Sequence, residues 1–200
     1  MVEKTKHLSK KREAILNAGV RAFLEMGYDN TSMDYIAEVA GASKRTVYNH
    51  FPSKEVLFEE VLNRFINNMP ELKQVAYSPK RSLENQLDDF ALAKIAVAKD
   101  PAWLGLMKVA SGVFIRNPKL VMETVARALE SENTLPTWLE AAHADGRLKV
   151  KDGELAADVF WSMIDGAFFW RTFFLGPMKP KQENALKKEL VQTFLSRYRS

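Results

Sequence analysis

The sequence predicts an all-α protein of about nine or ten helices. Three observations carry this expectation. Apolar residues recur at three- and four-residue spacing along most of the chain, prolines and glycines fall between the periodic segments, and β-branched alternation is absent. Apolar residues make up 46% and charged residues 27% of the 200, an ordinary globular mixture with enough apolar surface for a core. A disordered tail, a collagen-like repeat and a low-complexity chain are thereby set aside.

The elements follow in order. From about Lys10 to Met26, Ile15, Gly19, Ala22, Phe23 and Met26 share a helical stripe that ends at Gly27. Thr31 with Asp34 three residues on reads as a capping box, opening a short helix with Met33, Ile36, Ala37 and Ala40 on one face. Gly41 ends it. Ser43 can cap a second short helix from Lys44 to about Phe51. Pro52-Ser53 starts a longer one carrying Val56, Leu57, Val61, Leu62 and Phe65. Beyond a loop around Pro70 to Pro79, helical patterns run over roughly 82–98, 102–116, 118–131, 135–145, 153–175 and 181–198.

Several function classes are set aside early. Zero cysteines leave no disulfide scaffold, thiol nucleophile or thiolate zinc site. The opening MVEKTKHLSKKRE has no apolar core of a secretory signal. The longest apolar stretch, Val159 to Leu175, is interrupted by Asp165 and Arg171 and reads as a buried helix rather than a membrane span. A cytoplasmic protein without membrane association is expected. No nucleophile–base–acid arrangement, metal spacing or glycine-rich phosphate loop appears, so neither catalysis nor a cofactor is expected.

Charge is unevenly placed. Residues 1–54 carry nine Lys/Arg against six acids, whereas the remaining 146 carry 20 against 19. Three of the four excess positive charges therefore sit in the first quarter. A basic short module joined to a near-neutral large one points to a polyanionic partner for the first.

The two short helices around Gly41-Ala42-Ser43 form a helix-turn-helix pattern. Val47 and Phe51, four apart, anchor the second helix inward, leaving Lys44, Arg45, Tyr48 and Asn49 on the other side. Those side chains suit a DNA groove: Lys and Arg meet phosphate or guanine, Asn pairs with adenine, and Tyr reaches a phosphate or a thymine methyl. The bland alternative is a solvated Lys-Arg face on an ordinary helix pair. The basic run Lys10-Lys11-Arg12 weighs against it, as a flexible arm adding phosphate contacts.

The run FLEMGYDNTSMDYIAEVAGASKRTVYNHFPSKEVLFEEVL resembles the DNA-binding region of TetR-family transcriptional regulators. Gly27, Tyr28, Thr31, Ile36, Ala37, Ala40, Gly41, Ser43, Tyr48, His50, Phe51 and Lys54 all stand at the family's positions. Ala42 replaces the more usual valine. The resemblance implies operator contacts by Ser43, Lys44, Arg45, Thr46, Tyr48, Asn49 and His50, with sequence preference set at 45, 46 and 49. It further implies a phosphate contact by Lys54 and a backbone–phosphate approach at Thr31. His50 could on its type be a ligand or base, but it lies far in sequence from His7 and His143, which favours DNA contact or capping over metal or catalysis.

The remaining chain resembles the family more loosely. DGRLKVKDGELAADVFWSMIDGAFFWRTFFLG is similar to the C-terminal region of AcrR- and AefR-type repressors, which implies a homodimer through the last two helices. Residues 155–175 are apolar nearly all round, so that helix must be covered on several sides, and a partner subunit does this economically. In the final helix Leu186, Leu190, Phe194 and Tyr198 form a stripe, with Lys187, Lys188, Arg197 and Arg199 outside it. Trp103, Met107, Phe114, Trp138, Trp161 and Asp165 are the candidates for lining a ligand pocket, with Arg171 and His143 as further polar groups.

The expected organisation is a DNA-binding domain over 1–53 and a ligand-binding and dimerisation domain over 54–200. The expected function is that of a repressor released from a palindromic operator by a small apolar or aromatic effector, which would shift the helix starting at Ser53. Two rivals stand beside it: a small enzyme, and a TetR-like DNA binder governed by a protein partner or acting architecturally.

Overall fold

In a computed structural model the described residues are 2–67, 75–120, 122 and 134–200, with side chains described from residue 10 onward. All regular elements among them are helical, apart from one isolated bridge between Leu148 and Arg199. They are α1 (Val2–Asn30), α2 (Met33–Val39), α3 (Lys44–His50), α4 (Lys54–Asn67), α5 (Leu83–Lys99), α6 (Pro101–Arg116), α7 (Thr134–Ala144) and α8 (Gly153–Ile164). A π-helical turn, Asp165–Trp170, continues α8 into α9 (Arg171–Leu175), and α10 (Pro180–Tyr198) closes the chain. The expected helix over 118–131 falls mostly outside the described residues; 118–120 are helical.

Two local expectations need correction. The first helix runs from Val2 rather than Lys10 and includes residues 28–30 beyond a break at Gly27, whose φ of 75° lies in the left-handed region that a glycine adopts without steric cost. The basic arm is therefore helical, and Arg12 is held: its guanidinium donates to Glu60 at 2.7 Å and lies 5.0 Å from the Phe51 ring. The cap of α2 is Ser32, whose hydroxyl accepts from the Tyr35 N–H at 3.1 Å, not Thr31. Thr31 is buried and donates its hydroxyl to the Ala22 and Gly27 carbonyls.

The chain divides into two compact units, Met1–Asn68 with Gly105–Leu129, and Met69–Leu104 with Glu130–Ser200. This is not the 53/54 division read from sequence. Leu57, Phe58, Val61 and Leu62 of α4 are fully buried with Ile15, Phe23, Ile36, Val47 and Phe51, so α4 shares the core of the first three helices. Leu106, Ala110 and Val113 of α6 join that core. Gly105 allows the approach, since a Cβ there would meet Leu24 at 2.7 Å.

The second unit is built on Leu87, Phe90, Leu135, Trp138, Leu139, Phe160, Ile164, Phe168, Val191 and Phe194. Its polar keystone is the fully buried Gln86. The side-chain oxygen accepts from the Ser78 N–H at 2.7 Å and the Trp138 indole at 3.1 Å. Its amide donates to the carbonyls of Ser78, Arg81 and Ser82. Lys187 also departs from expectation: it is buried rather than on the outer basic face, its ammonium paired with Asp88 of α5. The buried side of α10 follows Lys187, Val191, Phe194 and Leu195.

Gln86→Leu keeps the volume but strands the Trp138 and Ser78 donors, at a cost of about 1–3 kcal/mol for each buried unsatisfied group. We expect urea unfolding of the variant to show a lower midpoint with an unchanged slope. An unmoved midpoint would mean that these groups are satisfied without Gln86.

Candidate nucleic-acid interface

The helices of the helix-turn-helix are seven residues each, below the length at which isolated helices persist in water. Their positions therefore depend on what they bury. Ile36 and Ala37 hold α2 in the first core; Val47 and Phe51, both fully buried, hold α3. Between them Gly41, with φ of 60°, turns the chain, and the Ala42 N–H donates to the Ala37 carbonyl. The Ser43 hydroxyl caps α3, accepting from the Thr46 N–H at 3.2 Å and lying 2.8 Å from the Thr46 hydroxyl.

With Val47 inward, Lys44, Arg45, Tyr48 and Asn49 are exposed together, while Thr46 and His50 are half-buried. The structure thus brings these expected residues onto one short helix. Lys44 is already engaged: its ammonium donates to the Asp34 carboxylate of α2 at 2.6 Å, which raises its pKa. The pair stands at an open groove of about 610 Å³ lined also by Ser32, Tyr35, Glu38 and Ser43. Asp34 was not singled out from sequence as a partner of Lys44, because the pairing joins two helices ten residues apart.

Two other expected contacts are engaged inside the fold. The Thr31 hydroxyl is buried as described, and its N–H faces the Tyr28 carbonyl at 3.3 Å. The Lys54 ammonium lies on the carbonyls of Tyr28 at 2.7 Å and Thr31 at 2.9 Å, with Asp29 at 3.4 Å. The same ammonium sits 4.4 Å from the centre of the Tyr28 ring. That ring stacks on Phe23, meets Phe58 edge-on, and donates its hydroxyl to Glu55 at 3.0 Å.

The candidate pocket residues are divided between the two units. Met107 and Phe114 belong to the first unit, Trp103, Trp138, Trp161 and Asp165 to the second. Trp138 is sealed in the core with its indole on Gln86. Trp161 and Asp165 are half-buried and share a neighbour that sequence reading missed, Lys94 of α5. Its ammonium is 3.7 Å from the Asp165 carboxylate and 5.1 Å from the Trp161 ring. Burial raises the Asp165 pKa against the opposing pull of Lys94. Arg171 donates to the Gly176 carbonyl, and the His143 ring lies 3.0 Å from the Leu148 carbonyl, so neither joins that cluster.

Comparison with known proteins agrees with this architecture. Residues 15–61 match the family described as bacterial regulatory proteins, tetR family, and residues 85–200 match the AefR-like transcriptional repressor, C-terminal domain. A TetR family transcriptional regulator from Pseudomonas syringae pv. tomato is 36% identical, with a TM-score of 0.76 over 95% of this chain and 97% of that one. The flavonoid-responsive regulator FrrA is 28% identical, with a TM-score of 0.72 over 96% and 98%. The uncharacterised HTH-type transcriptional regulator YhgD of Bacillus subtilis is 24% identical over 94% of both chains.

Burial, reinforced by the Glu55 hydrogen bond, pushes the Tyr28 phenol above the ordinary tyrosine range. The folded state therefore favours the neutral phenol. Its contribution to stability is complete below about pH 10, where an unfolded tyrosine titrates, and is lost as pH rises further. In an ultraviolet titration, Tyr28→Phe should remove no ionisation step from the ordinary tyrosine range. Loss of a full step there would show that the phenol is not held.

Proposed function

The chain belongs to the TetR family of bacterial transcriptional regulators, and on that premise we propose that it is a homodimeric repressor released from a palindromic operator by a small apolar or aromatic effector. The observation that carries the DNA-binding part is α3, which exposes Lys44, Arg45, Tyr48 and Asn49 from a helix anchored by Val47 and Phe51. In a two-fold dimer, one such helix per subunit enters successive major grooves about 34–36 Å apart. Arg45, Thr46 and Asn49 read base edges, while Ser43, Lys44, Tyr48 and His50 fix the register on phosphate and sugar.

Dimerisation is supported by an apolar stripe that one subunit leaves uncovered. Leu155, Val159, Trp170, Phe174 and Leu175 are exposed along α8, the π-helical turn and α9, with Phe174 at 72% and Leu175 at 77%. The small exposed Ser162 and Gly166 lie between, and no neighbour would obstruct a Cβ at Gly166. The outer face of α10, with Gln182, Asn184, Lys188, Gln192 and Arg197 exposed, is polar.

The second unit is the effector-binding part of this reading, with Trp161, Asp165 and Lys94 as its polar and aromatic anchors. The responsiveness of the related FrrA to flavonoids supports an aromatic effector class. The effector acts by favouring a dimer state whose recognition helices no longer match successive grooves. A coupling of about 1–3 kcal/mol lowers operator affinity by one to two orders of magnitude. Work in the cytoplasm follows from the operator.

Lys44→Ala should weaken DNA binding and flatten its salt dependence by about one unit, while Asp34→Asn, which releases Lys44, should tighten non-specific binding. Tyr48→Ala should weaken operator binding and leave the dimer intact. Gel shifts across a salt series check all three, and unchanged affinity in every case would remove α3 from the interface. Phe174→Arg should yield monomers in sedimentation experiments; an unaltered dimer would place the interface elsewhere. Thermal melting against a library of aromatic compounds tests the effector, since a ligand of the folded state raises the midpoint. No shift with any compound would favour control by a protein partner.

A further inference from the structure

We propose that Lys54 is a positioning residue that clamps the turn before α2, rather than a phosphate contact. This rests on the operator-binding reading above. An ammonium has three N–H donors and no acceptor. Those of Lys54 face three backbone carbonyls, of Tyr28, Asp29 and Thr31, at 2.7, 3.4 and 2.9 Å. All three belong to the end of α1 and the turn that follows. The left-handed Gly27 swings this short stretch away from the course of the helix, so its carbonyls gather on one side.

Electrostatics favours the arrangement. The Tyr28 carbonyl also accepts from the Thr31 N–H, and carbonyls at a helix C-terminus carry partial negative charge that stabilises a cation. The Tyr28 ring adds its negative face 4.4 Å from the same ammonium. Tyr28 is in turn fixed by Phe23, Phe58 and the Glu55 carboxylate, the last from the residue that follows Lys54 on α4. Lys54 and Glu55 thus hold the backbone and side chain of one turn from the first two residues of one helix.

The consequence reaches the DNA face through geometry. The clamped Thr31 immediately precedes Ser32, the cap that starts α2. Helix α2 carries Asp34, which holds Lys44 on the recognition helix. Loosening the turn displaces the start of α2 and, through it, the presentation of α3. A phosphate contact by Lys54 would instead require its ammonium to leave carbonyls and a ring face that already surround it.

Salt dependence separates the two roles, because each phosphate contact contributes about one unit to the slope of log affinity against log salt. The probe is sheared genomic duplex DNA, with Lys44→Ala as the reference for a lost phosphate contact. We expect Lys54→Met to weaken binding by roughly five- to thirtyfold, the ratio that one or two kcal/mol produces, with the wild-type slope retained. Amide hydrogen exchange over residues 28–36 of the free protein should accelerate in the same variant. Lys54→Gln, neutral but still carrying two N–H donors, should recover part of both losses and guards against a variant that simply unfolds. A slope that falls by about one unit in Lys54→Met and Lys54→Gln, with exchange unchanged, overturns the proposal in favour of direct phosphate contact. If the wild-type chain binds no duplex DNA, the operator reading fails, while the exchange comparison still decides whether the clamp exists.

Discussion

The presented face of this protein depends on burying Val47 and Phe51. A seven-residue helix has too few internal hydrogen bonds to offset the cost of nucleating it, so α3 exists because Val47 and the C-cap residue Phe51 are withdrawn from water into a core made by α1, α2 and α4. That single constraint decides which residues face outward. With positions 47 and 51 inside, positions 44, 45, 48 and 49 have nowhere to go but solvent. The same core takes in Leu57, Phe58, Val61 and Leu62, which is why α4 belongs with the first three helices rather than with the rest of the chain.

Counting cations therefore gives a poor measure of how this surface meets a polyanion. Arg12 is held by Glu60 and Phe51, Lys44 by Asp34, and Lys54 by three carbonyls and a ring. These engagements differ in kind. The Lys44–Asp34 pair is exposed on both sides and exchanges readily for a phosphate, since such pairs contribute little in water. The Lys54 ammonium is partly withdrawn from water and has no comparable alternative. The net charge of +4 locates a partner class, whereas the pairing pattern decides which charges can meet it.

In the second unit the division between core and surface is set by a few polar side chains in apolar surroundings. Gln86 satisfies five groups from two segments of chain, the turn at 78–82 and Trp138, whose indole nitrogen it binds in the core. Lys187 is buried against Asp88 and ties α10 to α5. The aromatic residues left at the surface, Trp170 and Phe174, are then those of the stripe running along α8 and α9. That stripe is the surface the proposed dimer would cover.

The sequence by itself determined the all-α class, most helix positions, the inward anchors Val47 and Phe51, the exposed side of α3 and the family. Each follows from spacing or from residues close together in the chain, and local spacing is what a linear text records. It could not distinguish a tryptophan lining a pocket from one in a core, as Trp138 illustrates, because the partner that decides the matter is 52 residues away. For the same reason it misplaced Lys187, and it did not foresee that α4 shares the core of the first three helices or that the Lys54 ammonium lies on backbone carbonyls, which no residue type announces. Long-range packing settled these cases, because the state of a polar or aromatic group depends on which distant neighbours replace its water.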